Sequence, residues 1–466
     1  MSKEKHFVHP YIPNSVPDVK TAMMKEIGVN EIEELYEDIP EALRYKGELN
    51  LPEPLPSEYA LKRHMEQILS RNITCRDTVS FLGGGCWQHY VPAICDEVNQ
   101  RSEFLTAYAG EPYEDHGRFQ ALFEYASMMG ELLDMDVVNI PTFDWSQAAG
   151  TSVRMASRIT GRPEILAAGT IAPDRLSVMR NYCEPQLRIR LVDFHKDTGL
   201  LDLDDLREKI SADTCGVYIE NPSYLGNIEH QGESVAEICR THGALFVVGI
   251  DPLSLGILSP PAHYGADIVC GDIQPLGMHM HFGGALAGFI ATRDEEQYVM
   301  EYPSRLFGIT ATEVEGEYGF GDVTYDRTSF GSREQGKEFV GTAAALWGIT
   351  AGVYLALLGP QGIRKTGTAI VYKSHYARMK ISQIKGVRLP FLQAPHFKEF
   401  IVDFSESGKS VKEVNAALRD RGIFGGKDIS GEFPGLGQRA LYCVTEVHTK
   451  GDIDHLVSSM DSVLNE

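Results

Sequence analysis

Basic residues are the scarce class in this 466-residue chain: 43 Lys and Arg stand against 65 Asp and Glu, a formal charge of −22. A nucleic-acid surface needs clustered Lys and Arg to displace counterions, and no long basic run overrides the bulk repulsion here. The same deficit argues against adhesion to an anionic membrane face. Long apolar runs are also missing. The richest, Ala343 to Gly359, is interrupted by Gly348, Thr350 and Gly352 and falls short of the ~20 residues of a bilayer span, so a buried helix is expected. The eight cysteines, at 75, 86, 95, 183, 215, 239, 270 and 443, show no C-x-x-C spacing. Neither a zinc ribbon nor a disulfide framework is indicated, and reduced, mostly buried thiols are expected. The start, Met1-Ser-Lys-Glu-Lys-His-Phe7, has neither the apolar run of a signal peptide nor the Arg-rich bias of a transit peptide, so a cytoplasmic location is expected.

What is present is an ordinary globular composition, 43% hydrophobic and 23% charged. The length suggests roughly three domain-sized units. Residues 1–70 carry many charges and two proline clusters, with helical spacing over Val19 to Leu43 broken at Gly28 and Pro40; they read as a helical arm. Residues 71–332 read as a large α/β domain. Within it, strands are expected at Glu164 to Ala168, Leu187 to Val192, Cys215 to Glu220, Ala244 to Ile250, Ala266 to Cys270 and Ala287 to Ala291. Helices are expected at Asp174 to Tyr182, Asp202 to Ile210 and Ser234 to His242. Asp202 reads as an N-cap, Ser234-Val-Ala-Glu237 as a capping box, and Gly243 as a left-handed helix end. This alternation predicts a parallel sheet up to Ile250, with antiparallel strands possible beyond it. Residues 333–466 read as a long apolar helix from Arg333 to about Leu358 followed by a small α/β domain, with strands at Phe397 to Phe404 and Ala440 to Thr445.

In such a sheet the chemistry lies outside the carboxyl ends of the strands, which directs attention to Glu220-Asn221-Pro222, Asp251, Gly271-Asp272-Ile273-Gln274-Pro275 and Gly283-Gly284. Asp251, closing a buried strand, resembles the Asp that pairs with the pyridinium nitrogen in enzymes of the aspartate aminotransferase superfamily. A Schiff-base lysine must then follow one strand later. None does: no lysine occurs between Lys209 and Lys337, and Gln274-Pro275 stands where that superfamily commonly has His-Lys. A complete site in this chain would need a lysine from outside the sheet region. Gly83-Gly84-Gly85 reads either as a turn or as a phosphate cradle. Cys86 with His89 reads either as a nucleophile pair or as buried structure, and His279-Met280-His281 offers two imidazoles with no third ligand.

The motifs Pro10-Tyr-Ile-Pro-Asn-Ser-Val-Pro-Asp-Val-Lys20, Ser80-Phe-Leu-Gly-Gly-Gly-Cys86, His89-Tyr-Val-Pro92, Gly271-Asp-Ile-Gln-Pro-Leu-Gly277, Gly422-Ile-Phe-Gly-Gly426 and Cys443-Val-Thr-Glu446 are similar to those of one family. The chain resembles the first (α) subunit of the two-chain glycine decarboxylase P-protein. That resemblance implies a pyridoxal-phosphate-dependent transferase fold (fold type I) and an oxidoreductase of the glycine cleavage system, glycine dehydrogenase (aminomethyl-transferring), inactive alone. It implies that pyridoxal phosphate and the Schiff-base lysine belong to the homologous second (β) subunit, in a heterotetramer of two of each, and that lipoylated H-protein receives the aminomethyl group. No catalytic residue or metal is then expected in this chain. Pocket-lining candidates are His89, Tyr90, Tyr108, Tyr113 and Asp251. Three stretches depart from the family: Cys86-Trp-Gln88 replaces small-Tyr-Asp, Asp144-Trp-Ser-Gln147 replaces Asp-Gly-Ala-Thr, and Gly336 to Leu346 replaces a charged run. A tryptophan in place of a small pocket residue changes volume by far more than a methylene. The readings left open are a paralogous complex for another small amino acid and a catalytically empty scaffold.

Overall fold

The computed structural model describes residues 8–9, 11–105, 116–284, 286–338 and 343–465. Contacts divide the chain into Met1–Asn72 and Ile73–Glu466. In the first unit, α1 (Pro17–Ile27) starts on a proline, whose missing N–H costs nothing in a first turn, and ends at Gly28 with φ +80°. Helix α2 (Glu58–Leu69) is capped by the Ser57 hydroxyl, which accepts from the Ala60 N–H. Neither helix contains a buried residue.

The second unit is built on a seven-stranded sheet: β1 (Val137–Val138), β2 (Glu164–Ala168), β3 (Arg188–Val192), β4 (Thr214–Glu220), β5 (Leu245–Ile250), β6 (Ile268–Asp272) and β7 (Gly288–Thr292), in the order 3-2-4-5-6-7-1. Strands β2 to β6 pair in parallel, and β7 runs antiparallel to β6 and β1. The antiparallel part thus begins one strand later than Ile250, because two 3-10 segments, Pro252–Gly256 and Pro261–Tyr264, carry the β5–β6 crossover in place of a long helix. Every residue of β2, β4, β6 and β7 is buried, as expected of a sheet covered on both faces.

One face packs α5 (Trp145–Thr160) and α6 (Pro173–Cys183), with Ala148, Ala149, Val153 and Met179 in that core. Gly150 lets α5 lie close to α6, since a Cβ there would sit 3.1 Å from Tyr182 Cβ. The other face meets α4 (His116–Leu133), α8 (Gly232–His242) and α9 (Ala345–Ile381), through residues such as Met129, Val235 and Tyr354. Helix α3 (Ala93–Asn99) precedes these, and α7 (Leu203–Lys209) is capped by Asp202, which accepts from the N–H groups of Asp204 and Asp205. Gly243 ends α8 at φ +60°, as expected, but α8 begins at Gly232, so Ser234 and Glu237 lie inside the helix and form no capping box.

The long helix α9 starts twelve residues after Arg333; its first segment ends at Leu358, as expected, and a second segment follows a kink and runs to Ile381. Its only described break is Gly359 (φ +57°, ψ −178°) before Pro360, where a glycine tolerates the backbone that the proline ring imposes on its predecessor. Helix α9 is long and apolar enough to cross a membrane. In this fold its residues Ile349, Ala351, Gly352 and Leu355 are buried.

A small antiparallel sheet, β8 (Glu399–Asp403), β9 (Lys427–Asp428) and β10 (Arg439–Cys443), has the order 8-10-9 and packs with α10 (Val411–Arg419) and α11 (Lys450–Asn465). Val79–Ser80 pairs in parallel with Ile423–Phe424, and the Cys443 N–H donates to Phe81 O. This stitch carries the glycine triplet between the small sheet and the strand ends of the large one.

Candidate active site

The strand ends singled out by sequence converge, and every ligand-like role among them is filled by a side chain of this chain. Asp251 follows β5 and is buried; its Oδ1 accepts from the Leu253 N–H at 3.0 Å. Its Oδ2 lies 2.6 Å from Lys398 Nζ, an ion-pair contact off the hydrogen-bond axis. Lys398 immediately precedes β8, outside the lysine-free region. Its ammonium also lies 3.1 Å from His89 Nε2 and 3.4 Å from the Trp87 ring centroid. An ammonium has only donors, so His89 Nε2 accepts and the proton sits on Nδ1. That Nδ1 is 2.8 Å from Glu446 Oε2, whose other oxygen accepts from the Tyr90 N–H at 2.7 Å. Burial raises the Glu446 carboxyl, but the His89 and Tyr90 contacts outweigh it and hold the carboxyl at about 2.

Glu399, adjacent to Lys398, closes the glycine triplet. Its Oε1 accepts from the Gly84 N–H at 2.7 Å and from Trp87 Nε1 at 2.8 Å. A Cβ at Gly83 would press on the same oxygen, so a larger residue there would displace the Glu399 carboxylate from the triplet. The triplet is therefore a cradle for an anion, and the anion is an internal carboxylate. At the end of β6, Gln274 is fully buried: it donates to Trp87 O at 3.0 Å and Met278 O at 3.1 Å, and accepts from the Trp87 N–H at 3.2 Å. Asp272 accepts from the N–H groups of Trp145, Gln274 and Ala287, and burial still pushes its carboxyl up to about 7.

Above the sheet, Arg175 Nη1 holds Glu220 Oε1 at 2.5 Å and its guanidinium lies 3.8 Å from the Trp145 ring centroid. Trp145 Nε1 donates to Tyr218 Oη at 3.2 Å, and a Cβ on Gly249 would meet that indole nitrogen at 2.8 Å. The N-terminus of α5 is closed by Asp144, which accepts from the Gln147 N–H at 2.7 Å. What remains between Trp87, Trp145, Arg175, Glu220, Asp251 and Lys398 is a cavity of about 20 Å³, room for about one water.

Of the residues singled out by sequence, His89 and Asp251 are therefore brought together through Lys398. Tyr90 is 65% exposed and only its backbone joins the network. Tyr108 and Tyr113 lie outside the described residues. Cys86 and His89 form no nucleophile pair: Cys86 Sγ donates to Met280 O, and burial pushes its thiol up to about 11. His279 Nε2 pairs with Asp96 at 2.9 Å, and His281 packs near Trp347. Lys398, Glu399 and Arg175 went unrecognised in the sequence; the one trace was a Lys-Glu pair at the head of an otherwise apolar strand.

These residues do not fit pyridoxal phosphate. Sites for small molecules run upward from about 300 Å³, far above the cavity here. An imine needs a free amine, and Lys398 Nζ is ion-paired with Asp251, hydrogen-bonded to His89 and seated on the Trp87 face. The helix end that offers N–H groups to a phosphate already holds the Asp144 carboxylate.

The family model for the glycine cleavage system P-protein matches residues 9–460. A probable glycine dehydrogenase (decarboxylating) subunit 1 of Staphylothermus marinus is 39% identical over 98% of this chain and 99% of its own. A solved glycine decarboxylase (P-protein) of the glycine cleavage system, in inhibitor-bound form, superimposes with a TM-score of 0.85 at 32% identity, covering 98% of this chain and 100% of that one. A sphingosine-1-phosphate lyase of Burkholderia pseudomallei, 15% identical with a TM-score of 0.64 over 92% of this chain and 94% of that one, shares the fold alone. The architecture is that of the fold-type-I pyridoxal-phosphate-dependent transferases. By the match over almost its whole length, the chain belongs to the glycine cleavage system P-protein family.

Proposed function

We propose that this chain is the cofactor-free subunit of a two-chain glycine decarboxylase of the cytoplasm. The homologous second subunit carries pyridoxal phosphate on its own lysine, and the two assemble as two of each. The observation that carries this reading is Gln274: where the fold needs an amine after β6, a buried amide is hydrogen-bonded on both its oxygen and its nitrogen. An amide nitrogen cannot form the imine.

The contribution of this chain is then positional. Rigidly anchored groups at its strand ends orient a substrate held by the partner and keep water from the reacting carboxylate. Tyr90, fixed through its backbone to Glu446 with its ring exposed, is the side chain offered for that purpose. Lipoylated H-protein accepts the aminomethyl group.

The test is co-expression with the homologous second subunit, followed by glycine-dependent exchange of labelled carbon dioxide in the presence of lipoylated H-protein. Exchange by the complex, and by neither chain alone, is the expected result. Failure to assemble, or a complex inert to glycine that processes another amino acid, refutes it.

A further inference from the structure

The last turn of α9 carries a buried cation that no carboxylate among the described residues neutralises. Arg378 is 4% exposed. Its Nη2 donates to Phe391 O at 2.5 Å, and its Nη1 to Ala394 O at 3.4 Å and to His396 Nδ1. All three acceptors are uncharged. Burial pushes the guanidinium down to about 10, with no opposing charge to restore it.

The same contacts set the state of His396, which is 9% exposed. A guanidinium only donates, so Nδ1 accepts and the ring proton sits on Nε2. Burial, with Arg378 and His375 beside it, pushes the ring down to about 3, so His396 is neutral near pH 7. Two donors are then left over: Arg378 Nε and His396 Nε2 are buried with no acceptor. Both residues line one cavity of about 10 Å³, walled by Leu225 and Phe391, with room for about one water-sized body. Asn227 and Glu399 also reach its wall, but Asn227 is bonded to Ser223 and Gly199, and Glu399 to Gly84 and Trp87. A water would accept from both N–H groups and leave the charge unopposed, whereas a buried charge is stable beside one of opposite sign. Phosphate and other polyatomic anions are too large for the space.

We propose that Arg378 and His396 hold a monatomic anion, chloride, in this cavity. The ion accepts from Arg378 Nε and His396 Nε2 and cancels the charge of the guanidinium. Because His396 lies two residues before Lys398, the ion fastens to α9 the segment that delivers Lys398 to Asp251. The site is separate from the strand-end network and does not depend on which subunit carries the cofactor.

The test is urea unfolding of the full chain in sodium gluconate, whose anion is too large for the cavity, replaced stepwise by sodium chloride at constant ionic strength. The expected result is a folding equilibrium constant that rises about tenfold for each tenfold rise in chloride above the dissociation constant. Arg378→Met/His396→Leu, which removes both donors, is expected to lose that dependence. A wild type indifferent to chloride overturns the inference, and so does a variant with the same dependence as wild type. If the variant does not fold, wild-type crystals grown in sodium bromide decide. An anomalous peak within hydrogen-bond reach of Arg378 Nε and His396 Nε2 supports the site, and density there without anomalous signal shows a water and overturns it.

Discussion

Glu446 offers the sharpest quantitative test of the network, because its cost can be separated from packing by pH. Glu446→Gln keeps the shape and one acceptor oxygen but removes the charge that faces His89 and the Tyr90 N–H. The carboxyl is held at about 2 against an ordinary value of 4.5. At ~1.4 kcal/mol per tenfold change in proton affinity, this sets an upper bound of about 3 kcal/mol of stability at pH 7, because a neutral His89 supplies its hydrogen bond and not a full charge. The group is depressed in the folded state, so its contribution is present above the unfolded value and is lost as the pH falls through the folded one. By linkage most of this remains at pH 4 and roughly half of it is gone by pH 3. Urea unfolding of wild type and Glu446→Gln at pH 7, 5, 4 and 3 measures the gap between them, with each stability taken from the midpoint and slope. The expected outcome is a gap of up to about 3 kcal/mol at neutral pH that narrows by about half toward pH 3. A gap of the same size at every pH would show that the side chain acts through packing alone, and would refute the electrostatic reasoning.

Gly226→Ala meets two penalties at once, a φ of +92° and a Cβ 2.1 Å from Glu399 O, and is expected to cost roughly 2–3 kcal/mol or more in chemical unfolding; a shift under 1 kcal/mol contradicts the close approach. Ser410→Ala removes the hydroxyl that accepts from the Glu413 N–H in the capping box of α10, and a loss of ~1 kcal/mol is expected in the same assay. The Cys86 thiol, raised to about 11 by burial, stays protonated near neutrality, so alkylation of the folded chain at pH 8 should be far slower at Cys86 than in the urea-unfolded chain; equal rates refute the burial argument. The purified chain alone should show no visible cofactor band that borohydride can reduce, and a yellow preparation would contradict the misfit of the cofactor here.

Much of the fold was legible because its signals are local. Runs of four to seven apolar residues flanked by Asp202, Gly243 and similar punctuation mark the strands and helices of the βαβ region to within two residues. The misreadings were local too. Gln231 rather than Ser234 precedes α8, since a capping box needs the backbone to break where the sequence has no turn signal. The long helix begins at Ala345 and not at Arg333, whereas Gly359-Pro360 does interrupt it where the sequence placed its end. In the site, Asp251 and His89 were found from their strand-end and motif positions, whereas the lysine that joins them was not.

The sequence alone determined that this chain has no lysine where the fold requires one, since the absence of a side chain over Ile210 to Gly336 is a fact of composition that no folding can repair. It also determined the family, through motifs that extend almost end to end. Tertiary structure alone decided what fills the place instead. Lys398 meets Asp251, Glu399 meets Gly84, and His89 meets Glu446 only because the small sheet docks across the strand ends of the large one. Nothing local distinguishes these charged residues from the many that face solvent; a buried charge is tolerated only beside its partner, and the partner is chosen by the fold.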